Sequence, residues 1–323
     1  MAITLQEAKV GMRDKIVAGV IDTFQRSSLL LDRLVFDNAI ALGGHGSTLG
    51  YTYQQLLTPA KAGVRAINAE YTPGEAKRTE KTAKAIIMGG SFQLDRVIIG
   101  TAGEVDELQF QTEEKIKATA NEFHNLVING TSAASGAGYV TGTFDGLKKL
   151  LAGTANEFTS EVDVTTSAKL DENSQALLDE IDALVARVPG CNMLLMNLSM
   201  LLKVRSAARR AGYYERTKDD FGRHVETYNG IEMLDAGKYF NGTEEKDVIP
   251  VEEDGTTAIY AIAIGLDGFH GISPEGDKLI RAYMPDLTAP GAVKNGDVEL
   301  VAGVALKNSR KAGVLKGIKV KAD

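Results

Sequence analysis

The sequence predicts an α+β fold organised around one long helix, and three observations carry that reading. From Val105 to Asn129, the residues Leu108, Thr112, Ile116, Ala120, Phe123 and Val127 recur at intervals of 4, 4, 4, 3 and 4, one continuous helical stripe. Upstream, strand-forming runs flank a stretch from Glu70 to Lys84 in which seven of fifteen residues are charged. Downstream, two helical patterns enclose the short apolar run Met193–Met196, and the last third reads mainly as strands.

Taken in order, Thr4-Leu5-Gln6-Glu7 is a capping box opening an amphipathic helix, with Leu5, Ala8, Met12, Ile16 and Val20 on one face. An apolar burst from Leu29 to Ile40 ends in the loop Gly43-Gly44-His45-Gly46-Ser47. Thr48 to Leu57 is a strand rich in β-formers, and a second strand runs from Phe92 to Ile99. Between them lies a protruding polar excursion, turned at Pro73-Gly74 and too charged to be buried in the chain's own core. The long helix carries Asp106 and Glu107 at its positive end, a Glu113–Lys117 pair, and Asn129-Gly130 as its stop. At 1.5 Å per residue it spans about 37 Å, a rod able to brace an elongated subunit. A short helix is expected near Phe144 to Leu150, and a longer one from Asp171 to Val188, stopped by Pro189-Gly190. Met193–Met196 reads as a buried strand, with Asn197 capping a helix through Arg210. Strands follow at 257–265, 279–283, 298–306 and 315–320.

Composition and motifs exclude several classes of function. The net charge of −7 and pI near 5.3 argue against a protein that grips nucleic acid through its phosphates. Cys191 is the single cysteine, so no disulfide forms within the chain, which suits a reducing compartment. The N-terminus lacks the basic-then-apolar pattern of a signal peptide, and no run of about 18 apolar residues occurs. There is no P-loop; the glycines around His45 lack dinucleotide spacing; and His45, His124, His224 and His270 are too dispersed for a zinc motif. Cys191, Met193, Met196 and Met200 read as core fillers, and the basic cluster Lys203, Arg205, Arg209 and Arg210 as a solvated face or subunit contact. No catalytic, metal-binding or cofactor-binding residues are expected, and no cofactor. A soluble hydrolase using His45 or His224 is the remote alternative.

In its order of parts the chain resembles the Hong Kong 97-type major capsid protein of tailed bacteriophages. The resemblance is carried by Gly90-Ser91-Phe92-Gln93-Leu94-Asp95-Arg96, Asn125-Leu126-Val127-Ile128-Asn129-Gly130-Thr131, Thr143-Phe144-Asp145-Gly146-Leu147 and Leu194-Leu195-Met196-Asn197. It implies an N-terminal arm over 1–45 and an extended β-hairpin loop over 46–89. A peripheral domain would combine 90–130 and 266–311, with the spine helix at 105–129, and a mixed α/β axial domain 131–265 and 312–323. It implies self-assembly into hexamers and pentamers that close an icosahedral head shell around packaged double-stranded DNA, which faces an acidic wall without sequence-specific binding. The partners so implied are the chain itself, a separate scaffolding protein and a portal, with no membrane. The location so implied is the virion, assembled in the bacterial host cytoplasm. An encapsulin-type nanocompartment shell is the alternative. Within the extended loop the charged residues Glu70, Glu75, Lys77, Arg78, Glu80, Lys81 and Lys84 are the expected inter-subunit contacts. Some relatives form Lys–Asn crosslinks between subunits. Here Lys77, Lys81 and Lys84 are candidate lysines and Asn295 and Asn308 candidate partners, but Gly303 to Leu306 offers no acidic helper, so no crosslink is expected.

Overall fold

The computed structural model describes residues 30, 33–38, 49–101, 107–212, 214–218, 224–274 and 280–321. The expected N-terminal helix, most of the following apolar burst and the glycine loop with His45 lie outside these residues.

Two sheets share one core. The first is five-stranded, with β1 (Phe36–Asp37), β15 (Phe269–Ile272), β17 (Val293–Leu306) and β16 (Ile280–Tyr283) in order, and β4 (Ile86–Asp95) also paired to β17. The second is seven-stranded and mixed, in the order β7 (Glu157–Thr159), β18 (Ala312–Lys319), β14 (Thr256–Ile262), β8 (Met193–Met196), β11 (Ile231–Asp235), β10 (His224–Tyr228) and β9 (Tyr214–Lys218). Three two-stranded ribbons complete the strands: β2 (Gly50–Thr58) with β3 (Lys77–Lys84), β5 (Gly130–Thr131) with β6 (Val140–Thr141), and β12 (Lys238–Phe240) with β13 (Glu245–Asp247).

Five α-helices lie wholly among the described residues: α1 (Arg96–Thr101), α2 (Glu107–Asn129), α3 (Leu147–Leu151), α4 (Ser167–Arg187) and α5 (Leu198–Ala211). The α2 stripe is buried as its spacing requires: Thr112, Ile116, Ala120, Phe123 and Val127 are all inside. Lys117 pairs with Glu114, at 2.9 Å, one residue from the expected partner, while Glu113 accepts from Gln109.

β8 explains why an all-apolar tetrapeptide is a strand here. Successive side chains alternate faces. Met193 and Leu195 join α2 in the core shared by the two sheets, while Leu194 and Met196 pack under α4 and α5. Asn197 then turns the chain into α5. Its Oδ1 accepts from Met200 N at 2.8 Å, and its amide donates to Thr257 Oγ1 and to the Ile249 carbonyl. A buried asparagine is tolerated because each of these bonds is made.

The glycines after α2 are a packing requirement. A Cβ on Gly146 would sit 2.6 Å from the Leu126 carbonyl, and one on Gly130 2.6 Å from that of Phe144. The turn thus presses against the helix end, and the Gly146 N–H donates to the Gly130 carbonyl.

Four expectations need correction. The strand expected at Phe92 to Ile99 ends at Asp95, whose Oδ1 accepts from Val97 N at 2.8 Å and caps α1, diverting the chain into helix. The excursion turns at Ile67-Asn68, not Pro73-Gly74: Asn68 adopts the left-handed φ of 64° and the Ala69 N–H donates to the Ala66 carbonyl. The charged run is itself a strand, β3, because it pairs with β2 instead of forming a loop. The basic cluster on α5 is partly spent inside the chain, Arg205 on Glu226 at 2.6 Å and Arg210 on Asp171.

His124 is buried in α2, and burial lowers its pKa to about 4 despite a hydrogen bond with the Ala236 backbone. Between the unfolded value near 6.5 and about 4, the unfolded chain binds a proton that the folded chain refuses. Stability therefore falls as pH falls through that window, by up to about 3 kcal/mol from this residue. Urea unfolding at pH 7 and pH 4.5 is expected to show that loss, and His124→Gln to remove a corresponding part of it.

Candidate functional site

Among the described residues the ribbon of β2 and β3 pairs with no third strand, so its behaviour depends on its base and its tip. At the base, β3 and β4 continue as one strand interrupted at Ala85, whose N–H donates to the Leu49 carbonyl at 2.8 Å. Alternation along β2 turns Tyr51, Tyr53 and Gln55 to one face. Tyr51 and Ala85 pack with Ile272 and Ala305 in a small cluster distinct from the main core. The Tyr53 hydroxyl donates to the Leu306 carbonyl at 3.0 Å, and the Gln55 amide to the carbonyls of Leu306 and Lys307.

Beyond Gln55 the alternation fails. A register shift between Leu56 and Thr58 leaves Leu56 and Leu57 both exposed. At the turn Val64 is 102% and Ile67 91% exposed, and Tyr71 is exposed as well, with the Arg65 guanidinium 5.4 Å from its ring centre. Five large apolar side chains thus stand on a ribbon that cannot cover them, the kind of surface that marks an interaction site.

All seven expected contact residues lie on this ribbon or its tip and are exposed: Glu70 and Glu75 before β3, and Lys77, Arg78, Glu80, Lys81 and Lys84 along it. None of the seven forms an ion pair among the described residues. Arg78 donates to Gln54 Oε1 across the ribbon at 3.1 Å. From Gly50 to Lys84 there are six cations (adding Lys61 and Arg65) against three anions, a local net charge of +3 in a chain of −7. The sequence reading placed the site in the charges and passed over the apolar tip. The signal available was the doublet Leu56-Leu57 together with Val64 and Ile67, apolar residues at spacings that fit neither a half-buried strand nor a helix long enough to hide them.

Elsewhere, a groove of about 540 Å³ lies between the end of α2 and the β12–β13 ribbon, lined by Asn125, Tyr139, Lys148, Tyr239 and Glu252 among others. No histidine or cysteine lines it. Among the described residues no three of His, Cys, Asp and Glu converge as a metal site would require, and no described helix is long and apolar enough to cross a membrane. His45 lies outside the described residues.

No family model matches the sequence, and no curated protein matches it. Solved structures do. The chain is similar to the holo-SrpI encapsulin complex of Synechococcus elongatus PCC 7942, at 14% identity and a TM-score of 0.62, over 90% of this chain and 87% of that one. It is similar to the capsid of Myoviridae phage XM1, at 14% and 0.56, over 90% and 91%. It is also similar to the capsid of an empty GTA particle, at 13% and 0.54, over 90% of each chain. Likeness along nine-tenths of both chains at such low identity is a likeness of fold, and the chain has the Hong Kong 97-type capsid fold.

Because Val64 and Ile67 touch almost nothing of their own chain, Val64→Asp and Ile67→Asp are expected to change the stability of the unassembled chain by no more than about 0.5 kcal/mol. Calorimetry of the dispersed protein checks this, with Leu126→Ala in the shared core as a control expected to cost about 2–5 kcal/mol.

Proposed function

We propose that this chain is a shell subunit, the major capsid protein of a tailed phage, which self-assembles as hexamers and pentamers into an icosahedral head enclosing double-stranded DNA. The observation that carries the proposal is the exposed apolar hairpin tip on a fold otherwise shared with shell proteins. In this reading residues 1–45 are an arm, 46–89 the extended loop, 90–130 with 266–311 the peripheral domain, and 131–265 with 312–323 the axial domain. The work is assembly, not turnover. A scaffolding protein, a portal and packaged DNA are the further partners, and the mature virion the destination.

Magnitudes decide which part of the loop drives association. Exposed ion pairs at Glu70, Glu75, Lys77, Arg78, Glu80, Lys81 and Lys84 contribute about 0.2–1 kcal/mol each. Burying a valine or isoleucine contributes about 1.5–3 kcal/mol each. The apolar tip therefore supplies most of the affinity, and the charges select orientation and partner. Each contact is weak, and closure of a shell makes many of them collectively strong.

The likeness to an encapsulin supports a second reading, a nanocompartment shell around protein cargo. Contents separate the two. Nuclease-protected double-stranded DNA in particles from the native source supports the phage head, and an enclosed enzyme supports the nanocompartment.

Electron microscopy and sedimentation velocity of the purified chain are expected to show closed particles or free capsomers. The double variant Val64→Asp/Ile67→Asp is expected to stay folded and lose particles. Particles of normal yield and size from that variant would refute the role given to the tip. A wild-type chain that remains monomeric and hydrolyses esters would refute the shell reading altogether.

A further inference from the structure

The direction in which the hairpin leaves the body is set by few contacts. Two-stranded ribbons twist and bend readily and are marginal alone. Tyr53 and Gln55 both tie the ribbon to Leu306-Lys307, at the exit of β17. The third tie comes from a different element. The Tyr51 hydroxyl donates to Asp37 Oδ2 at 2.9 Å, and Asp37 is the last residue of β1. Lys307 joins the same carboxylate at 3.5 Å and lies 5.2 Å from the Tyr51 ring centre, while His270 meets that ring edge-on at 5.7 Å. One carboxylate thus joins β1, the hairpin base and the end of β17.

β1 belongs to a strap that reaches both sheets. Leu30 and Leu34 are buried in the shared core, and Arg33 forms a two-pronged contact with Glu232 on β11 at 2.9 and 3.2 Å. Phe36 packs 6.1 Å from Phe123 and covers Gly271, where a Cβ would meet its ring at 2.5 Å. β1 itself is held to β15 by a register of two residues. The strap is thus anchored at both sheets and delivers Asp37 to the hairpin base.

We propose that Asp37 and Tyr51 are positioning residues: their contact ties the strap to the hairpin base and sets the aim of the hairpin. The importance given to the tip's aim rests on the shell reading, while the contact is testable without it. Burial first, and the Asp37 carboxylate against the opposing effect of Lys307, hold the Tyr51 phenol above its ordinary pKa.

The test uses the full, unassembled chain with Cys191→Ser and spin labels at the exposed positions Lys81 and Arg310. The wild type is expected to give one narrow distance distribution, and Tyr51→Phe and Asp37→Asn each a broadened one. The double variant is expected to be no broader than Asp37→Asn alone, which weakens the Tyr51 contact and removes the Lys307 ion pair as well. Amide exchange in β2 is expected to quicken about tenfold in the same variants, as for loss of a charge-assisted hydrogen bond. Thr52→Val, which removes the Thr52–Thr82 contact inside the ribbon, is expected to leave the distance unchanged. Unchanged distances in both Tyr51→Phe and Asp37→Asn would overturn the proposal, and broadening in Tyr51→Phe alone would overturn the part given to the strap. Particle formation is scored separately. A wild-type chain that forms no shells defeats the assembly reading and leaves the distance result to judge the contact.

Discussion

Phe123 occupies the point on which this structure depends. It lies on the α2 stripe, fully buried, with Phe36 of the strap 6.1 Å away on one side and Phe144 of the turn after β6 at 5.9 Å on another. The core it belongs to also holds Val304 and Leu306 of the five-stranded sheet and Leu195 and Ile262 of the seven-stranded one. One helix face therefore supplies the apolar surface that both sheets need, and neither sheet would bury its inner face without it. Long-range connections follow from this: β18, near the end of the chain, returns to a sheet founded on residues 193–196.

Around that apolar centre, buried asparagines have their hydrogen bonds made. Asn197 makes three hydrogen bonds where a strand becomes a helix, and Asn156 reaches the Ala312 carbonyl, holding β7 against the start of β18. A buried amide lacking these partners would cost about 1–3 kcal/mol, so such residues fix geometry more than they add stability. The turn through Thr143 to Gly146 works in the same way: Asp145 accepts from Ser132 N, and Gly146 lets the chain lie against the helix end.

The hairpin obeys the opposite logic. Among the described residues nothing covers Val64, Ile67 or Leu56, and the hairpin's cations outnumber its anions two to one in an acidic protein. Its base is held by side chains to backbone carbonyls and to Asp37, contacts that can be exchanged without disturbing the core. Stable attachment and adjustable aim are thereby separated. The core fixes where the ribbon starts, and a handful of polar contacts fixes where it points.

The sequence by itself determined the elements whose cause is local or periodic. The α2 stripe, the Asn197 cap, the apolar β8 and the β-rich start of β2 were legible because spacing, capping and strand propensity act over a few residues. It also showed that the hairpin protrudes, because charge density alone bars the Glu70 to Lys84 run from a core. Only the tertiary structure decided the rest. The run became a strand because β2 lay opposite it, Phe92 to Ile99 divided where the Asp95 carboxylate met an amide, and an exposed apolar tip emerged beside the charges. A leucine or isoleucine in a sequence reads as core, since burial is its usual fate. Whether any surface of the same chain is within reach to bury it is a matter of three-dimensional distance, and for Val64 and Ile67 none is.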